Sequence, residues 1–159
     1  PAVQKAPHSS LVRGFRFSGP ETGGTGRQLL PSRFTFPEPH VMQKILIIVH
    51  APPYGSERCL SALRVATALT GVDADPPEVR VFLMSDATVL ALPNQVDGTG
   101  SGLQAMVEEL VARKVDIRVC RTCAYARGLA ELPLIPGTSI GTLADLAAAT
   151  LAADKVLTF

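Results

Sequence analysis

Residues 44–50 read KILIIVH, in which five apolar side chains run unbroken between Lys44 and His50. A strand with one wet face alternates polar and apolar residues, whereas a strand covered on both faces does not. The run therefore reads as a doubly buried strand of the kind found in parallel sheets. APPYGS (51–56) follows as a turn rich in Pro and Gly. ERCLSALRVATAL (57–69) then sets Leu60, Leu63, Ala66 and Leu69 at helical spacing. Ser56 is the expected N-cap, with Glu57 in the first turn, where a carboxylate suits the helix dipole. GVDADPPE (71–78) stops the helix.

The alternation continues downstream. VRVFLM (79–84) is a second strand, ended by SDA (85–87). LPNQVDGTGSG (92–102) is expected to be a long flexible loop, and LQAMVEELVARK (103–114) an amphipathic helix. VDIRVC (115–120) is a third strand, and TCAYARGLAEL (122–132) a short helix halted at Pro133. IPGTSIG (135–141) holds a short fourth strand. TLADLAAATLAA (142–153) is an Ala-rich helix started by Thr142 or Gly141, and KVLTF (155–159) is a last strand. Strands that are solid apolar runs, alternating with helices, predict an open α/β sheet with helices on both faces. Ligands and reactive groups in such sheets gather at the carboxyl ends of the strands. Three segments reach that edge: His50–Ser56, which includes Tyr54, then Ser85–Asp86, and Cys120–Cys123.

Composition narrows the function. The chain has 159 residues, enough for one domain, and a net charge of +1, which creates no field for nucleic acid or a membrane surface. It has no Trp and two Tyr, too few for base-stacking platforms, and no apolar run long enough to span a bilayer. Three cysteines are too few for a disulfide scaffold and fit a reducing, cytosolic compartment. Residues 1–41 differ from the rest. They carry five basic and two acidic groups, with six of the 13 prolines and five of the 13 glycines. They show neither helical nor strand periodicity and are expected to form a disordered or loosely packed extension. A vector-derived or upstream-translated origin is the first reading of that segment; a transit peptide and a binding arm are the others.

Cys120 ends its strand and stands where the next helix begins. A helix N-terminus and nearby cations lower a thiol pKa, and Arg118, Arg121 and Arg127 are close in sequence. Cys123 lies within the first turn, in reach as a resolving thiol. A structural zinc site needs four ligands and the C-x-x-C pair supplies two, with no second such pair. A thioredoxin-type exchanger carries its pair after the first strand of its motif, not the third. The bland alternative is that both thiols are small buried hydrophobes. That reading suits Cys59 best, which falls mid-helix beside Leu60. His50 could serve acid–base or sulfur-binding work or be a hydrogen-bonded structural residue. Asp86 and Glu57 could orient a partner or cap helices, and His8 and His40 are given no role. The GTGSG run (98–102) lacks the Lys of a phosphate-binding loop.

MQKILIIVHAPPYGSE (42–57), VFLMSDA (81–87), VCRTCAYARGL (119–129), LPLIPG (132–137), IGTLADLA (140–147) and LAADKVLTF (151–159) together resemble the DsrE/DsrF-like family, and within it the YchN-like branch. The resemblance covers 42–159. It implies a three-layer α/β/α domain around a mainly parallel five-stranded sheet, and homo-oligomers, trimers or hexamers. Better-characterised members carry sulfur as a cysteine persulfide, in tRNA thiolation relays and in sulfur oxidation. Their carrier cysteine ends a strand and is followed eight residues later by glycine, a pattern that Cys120 and Gly128 match. Cys123 is not required by that pattern, which leaves a redox role open.

The expected function is therefore a small cytosolic sulfur-transfer protein. Cys120 and Cys123 are the reacting thiols; His50, Tyr54, Ser85, Asp86 and Arg121 are candidate substrate contacts. Its partners would be sulfur donor and acceptor proteins, with no cofactor, metal, membrane or direct nucleic-acid contact. A non-catalytic oligomeric binding or assembly module and a thiol–disulfide switch are the alternatives.

Overall fold

The structure is a computed structural model that describes residues 42–96, 98, 100 and 102–159. The extension expected over residues 1–41 lies outside the described residues. Five strands are present: β1 (Lys44–Val49), β2 (Glu78–Leu83), β3 (Asp116–Cys120), β4 (Thr138–Gly141) and β5 (Lys155–Thr158). They pair in the order β4-β3-β2-β1-β5, and every pairing is parallel, so the expected mainly parallel sheet is wholly so. The helices are α1 (Arg58–Thr70), α2 (Leu103–Ala112), α3 (Arg121–Ala126) and α4 (Leu143–Ala152), with a 3-10 helix over Ser85–Ala91.

Residue parity sorts the sheet's two faces. Ile45, Ile47, Val49, Val79, Val81, Leu83, Ile117 and Val119 point to one side and join the main core. There they meet Cys59, Ala62, Leu63 and Ala66 of α1, Leu103, Val107 and Leu110 of α2, and Ala87, Leu90 and Ala91 of the 3-10 helix. The even-numbered Leu46, Phe82 and Cys120 form a second, smaller cluster on the opposite face. Among the described residues the apolar side chains that reach it from that layer are Leu146, Ala149 and Ala153, in and just after α4, each partly buried. The three layers are thus unequal: a filled interior on one side, a thin cover on the other. No residue of α4 is fully buried.

Because α4 buries so little, its start is fixed by polar contacts. Thr142, one of the two expected starts, is the N-cap and accepts from the Asp145 backbone N at 3.1 Å. Asp145 Oδ2 accepts in return from the Thr142 N at 2.7 Å, completing a capping box. Asp145 Oδ1 also meets Arg118 Nη1 of β3 at 3.2 Å, tying the helix to the sheet.

Several boundaries depart from expectation. Helix α1 begins at Arg58 with Glu57, not Ser56, at the N-cap, and no side chain closes that cap. The segment after β2 is a seven-residue 3-10 helix, not a plain strand end. Helix α3 is six residues long, far short of Pro133. Gly128 adopts φ +66°, and its N bonds the Tyr125 O at 3.1 Å while Leu129 N returns to Ala124 O at 2.9 Å. That left-handed closure ends the helix, and glycine adopts it without steric cost. The loop after the 3-10 helix is cross-linked through Gln95. Its side-chain N donates to the Val89 and Leu92 carbonyls, at 2.9 and 2.7 Å, and its backbone N to Gln104 Oε1, at 2.9 Å. Among the described residues no helix is long and apolar enough to cross a membrane.

Candidate functional site

Strand β3 is central enough to be paired on both sides, by β2 and β4, and its last residue is Cys120. The chain turns there into α3 with Cys120 as N-cap. Even parity sends its side chain to the thinly covered face, between Leu46 and Phe82. Ile48, Met84, Cys123 and Leu146 pack around this trio. On β4 the residue paired with Cys120 is Gly141. A Cβ there would come within 3.0 Å of Phe82 Cε2 and 3.1 Å of Arg118 Cβ, so glycine lets the ring and the Arg118 stem close over the strand. Cys120 is 1% exposed.

The sulfur is buried but has a polar partner. Cys120 Sγ lies 3.2 Å from Thr122 Oγ1, and either atom can donate. Backbone N–H groups of Cys123 and Thr122 face the sulfur at the open end of α3 without completing a side-chain cap. Burial, the largest influence, pushes the thiol's pKa up. The Thr122 hydroxyl, the Cys123 N–H and thiol, and the Thr122 N–H pull it down, and together they hold it below its ordinary value. Cys59 contrasts with it. It is buried in the main core, its thiol donates to the Ala51 O at 3.1 Å, and burial pushes its pKa up to about 11. Cys59 is a packing residue, although it stands in the first turn of α1 and not mid-helix as expected.

The arginines near the pair act on other groups. Arg118 pairs with Asp116 at 3.1 Å and Asp145 at 3.2 Å. Arg121 lies over the Tyr125 ring, 5.9 Å from its centroid. Arg127 donates to Asp86 Oδ1 from Nε at 3.0 Å and Nη2 at 2.8 Å, and from Nη1 to the Cys123 O at 3.2 Å. Asp86 is thus brought to the site's rim, but through Arg127, which latches α3 to the 3-10 helix. Neither helix capping nor a direct thiol contact is its observed part.

The remaining candidates spread along the strand edge. Ser85 opens the 3-10 helix at φ +47°, and its O accepts from Thr88 Oγ1 at 2.8 Å. His50 is exposed just beyond β1, where its backbone N bonds the Phe159 O at 2.9 Å. Tyr54 turns toward the loop before α2 and donates to Gln95 Oε1 at 2.9 Å. It lines a cavity of about 480 Å³ with Pro53, Leu60 and Leu103, separate from the Leu46–Phe82–Cys120 cluster. Thr122 is the contact that the sequence reading missed. Its signal is a hydroxyl residue two places after a strand-ending cysteine, where a helix start folds it back. Among the described residues no three His, Cys, Asp or Glu side chains gather as a metal site.

Comparison with known proteins agrees with this architecture. The sequence model of the DsrE/DsrF-like family matches residues 43–159. Protein YchN of Escherichia coli strain K12 is 48% identical over 118 residues, which are 74% of this chain and 100% of that protein. The uncharacterized protein MJ0989 of Methanocaldococcus jannaschii is 33% identical over 118 residues, 73% of this chain and 99% of that protein. The crystal structure of the E. coli YchN protein superposes with a TM-score of 0.71, covering 74% of this chain and 100% of that one. A protein of unknown function from Methanobacterium thermoautotrophicum, MTH1491, shares the fold at 15% identity, with a TM-score of 0.55, covering 75% of this chain and 100% of that one.

Proposed function

The chain belongs to the DsrE/DsrF-like family, in its YchN-like branch, and from that premise we propose that it is a persulfide carrier with sulfur held on Cys120. The supporting observation is the state of that thiol: at a strand's carboxyl end, enclosed by apolar side chains, yet with its pKa held down. A carrier needs a thiolate to take sulfur and an enclosed site to keep the terminal sulfur from reducing thiols.

The Cys120 thiolate attacks the outer sulfur of a donor persulfide, R–S–SH. The donor's S–S bond breaks, R–S⁻ leaves, and Cys120 becomes a persulfide. An acceptor thiolate then attacks that outer sulfur and restores the Cys120 thiolate. Burial of Cys120 at 1% exposure means that α4 or a partner must shift for either exchange. The work belongs in a reducing, cytosolic compartment, with protein donors and acceptors. The outer side of α4 exposes Leu143 and Leu151, which supports a homo-oligomer, a trimer or hexamer, assembled through that face.

Intact mass spectrometry after incubation with a cysteine desulfurase and cysteine tests the carrier. A gain of one sulfur that requires Cys120 but survives Cys123→Ser is expected. No gain in the wild-type protein overturns the proposal.

One observation favours a second reading. Cys123 packs against the cluster that holds Cys120, three residues on at the start of α3, so the pair could cycle as a disulfide. A small disulfide R–S–S–R would accept the two electrons: Cys120 forms the mixed disulfide, Cys123 displaces the second R–S⁻, and two thiols are released. A loss of two hydrogens with a glutathione disulfide buffer, and no sulfur gain, selects this reading.

A further inference from the structure

We propose that Thr122 is a positioning residue whose hydroxyl carries the proton of Cys120 to solvent and then donates to the sulfur anion. The inference rests on Cys120 being the reacting thiol. The sulfur belongs to a residue only 1% exposed, walled by Leu46, Phe82, Ile48, Met84 and Leu146. Thr122 is exposed, with its oxygen 3.2 Å from the sulfur. The residue therefore bridges a buried titrating group and water.

A hydroxyl suits both protonation states. It accepts from S–H while the thiol is neutral, and turns to donate once the thiol is ionised. The facing N–H groups of Thr122 and Cys123 can only donate, so they favour the anion but cannot receive its proton. The S–H bond breaks toward Thr122 Oγ1, the hydroxyl's own proton passes to a solvent water, and the electron pair stays on sulfur.

Charged groups on the surrounding elements are committed elsewhere. Arg118 of β3 is held by Asp116 and Asp145, and Arg80 of β2 by Glu78. Asp145 of α4 is engaged by Thr142 and Arg118. Arg121 lies on Tyr125, and Arg127 binds Asp86 and the Cys123 O. His50 stands past the end of β1, and Cys123 is the titratable residue packed against the cluster that holds the sulfur. With the guanidinium groups occupied, the hydroxyl is the main side-chain lever on ionisation.

The test is the pH profile of Cys120 alkylation by iodoacetamide, with the labelled cysteine identified by peptide mass spectrometry. Thr122→Val keeps the shape and removes the hydroxyl; Thr122→Ser keeps the hydroxyl. The Val variant should raise the midpoint by roughly one to two pH units, with about 10- to 100-fold slower labelling near neutrality, since the lost bond is to a charged group. The Ser variant should stay within about half a unit of wild type. Thr122→Ala stands in should the Val variant lose its native circular dichroism. An unmoved midpoint in a folded Val or Ala variant overturns the proposal, as does a Ser variant that shifts equally. The assay uses no sulfur donor. A wild-type protein that takes up no sulfur, beside a shifted Val variant, would remove the carrier reading and leave this inference standing.

Discussion

Removing the Thr142 hydroxyl should expose Cys120 by loosening α4 alone. Thr142→Ala deletes the acceptor for the Asp145 N–H and the donor to Asp145 Oδ2, at 3.1 and 2.7 Å. Losing an N-cap of this type costs about 1 kcal/mol. Few contacts resist the loss, because no α4 residue is fully buried and three partly buried side chains are its hold on the second cluster. The open population of α4 should therefore rise roughly fivefold, as follows from about 1 kcal/mol at room temperature. Hydrogen exchange with peptide resolution should show that acceleration over residues 143–152. Cys120 alkylation should rise by the same factor, because the helix that opens is the one covering its sulfur. Cys59, on the far side of the sheet, should stay orders of magnitude slower in absolute rate. Faster α4 exchange with an unchanged Cys120 rate would show that the sulfur is reached by another path. Equal absolute rates at Cys59 and Cys120 would show that access needs global unfolding. Either result refutes the picture of α4 as the cover of the site.

Three further outcomes are expected. Gly137 sits at φ +92°, and a Cβ there would overlap Val111 Cγ1, so Gly137→Ala should cost roughly 2–4 kcal/mol in urea unfolding, strain and overpacking combined. Cys59 ionises at about 11 in the folded chain against 9.0 for the free group, so the unfolded chain loses this proton first. Stability should fall as pH rises from 9.0 toward 11, by about 2–3 kcal/mol from this group, and Cys59→Ala should flatten that part of the profile relative to wild type. Leu151 is 89% exposed on α4, so if the proposed homo-oligomer forms through that face, Leu151→Glu should lower the mass measured by light scattering without changing circular dichroism; an unchanged mass would refute assembly through that face.

The parts of the fold legible in the sequence are those written by burial. KILIIVH states its burial by composition alone, whereas VRVFLM and VDIRVC are strands whose even positions carry Arg80, Asp116 and Arg118, part-exposed on the thinly covered face. Of the two starts read for α4, Thr142 and Gly141, Thr142 is the cap, and Asp145 three residues on completes the box. The 3-10 helix was not legible, since SDATVLA has too few turns to show a period and begins with a non-glycine residue at positive φ. Helix α3 is shorter than residues 122–132 because Gly128, which weakens the helical reading, closes it outright through a left-handed turn, and the stop expected at Pro133 comes too late. The placement of Cys120 at the end of its strand and of Cys123 in the helix that follows was legible. The Arg127–Asp86 latch was not, because it spans 41 residues and depends on the end of α3 meeting the 3-10 helix. Three arginines near the thiols suggested direct help to the sulfur, yet each finds another partner first.

The division of the sheet by odd and even positions has a consequence for how this protein can change. Odd residues of β1, β2 and β3 answer to the main core, so they are constrained by volume. Even residues on the same strands answer to the thin layer, where Cys120 sits two positions from Arg118 and opposite Gly141. One extra residue inside β3 would leave a segment that still reads as a strand, while turning the sulfur into the crowded interior and a valine toward α4. Chemistry and architecture are thus written in alternate letters of one word. The first set can be respelled through many substitutions while the second is left untouched, but a single insertion garbles both.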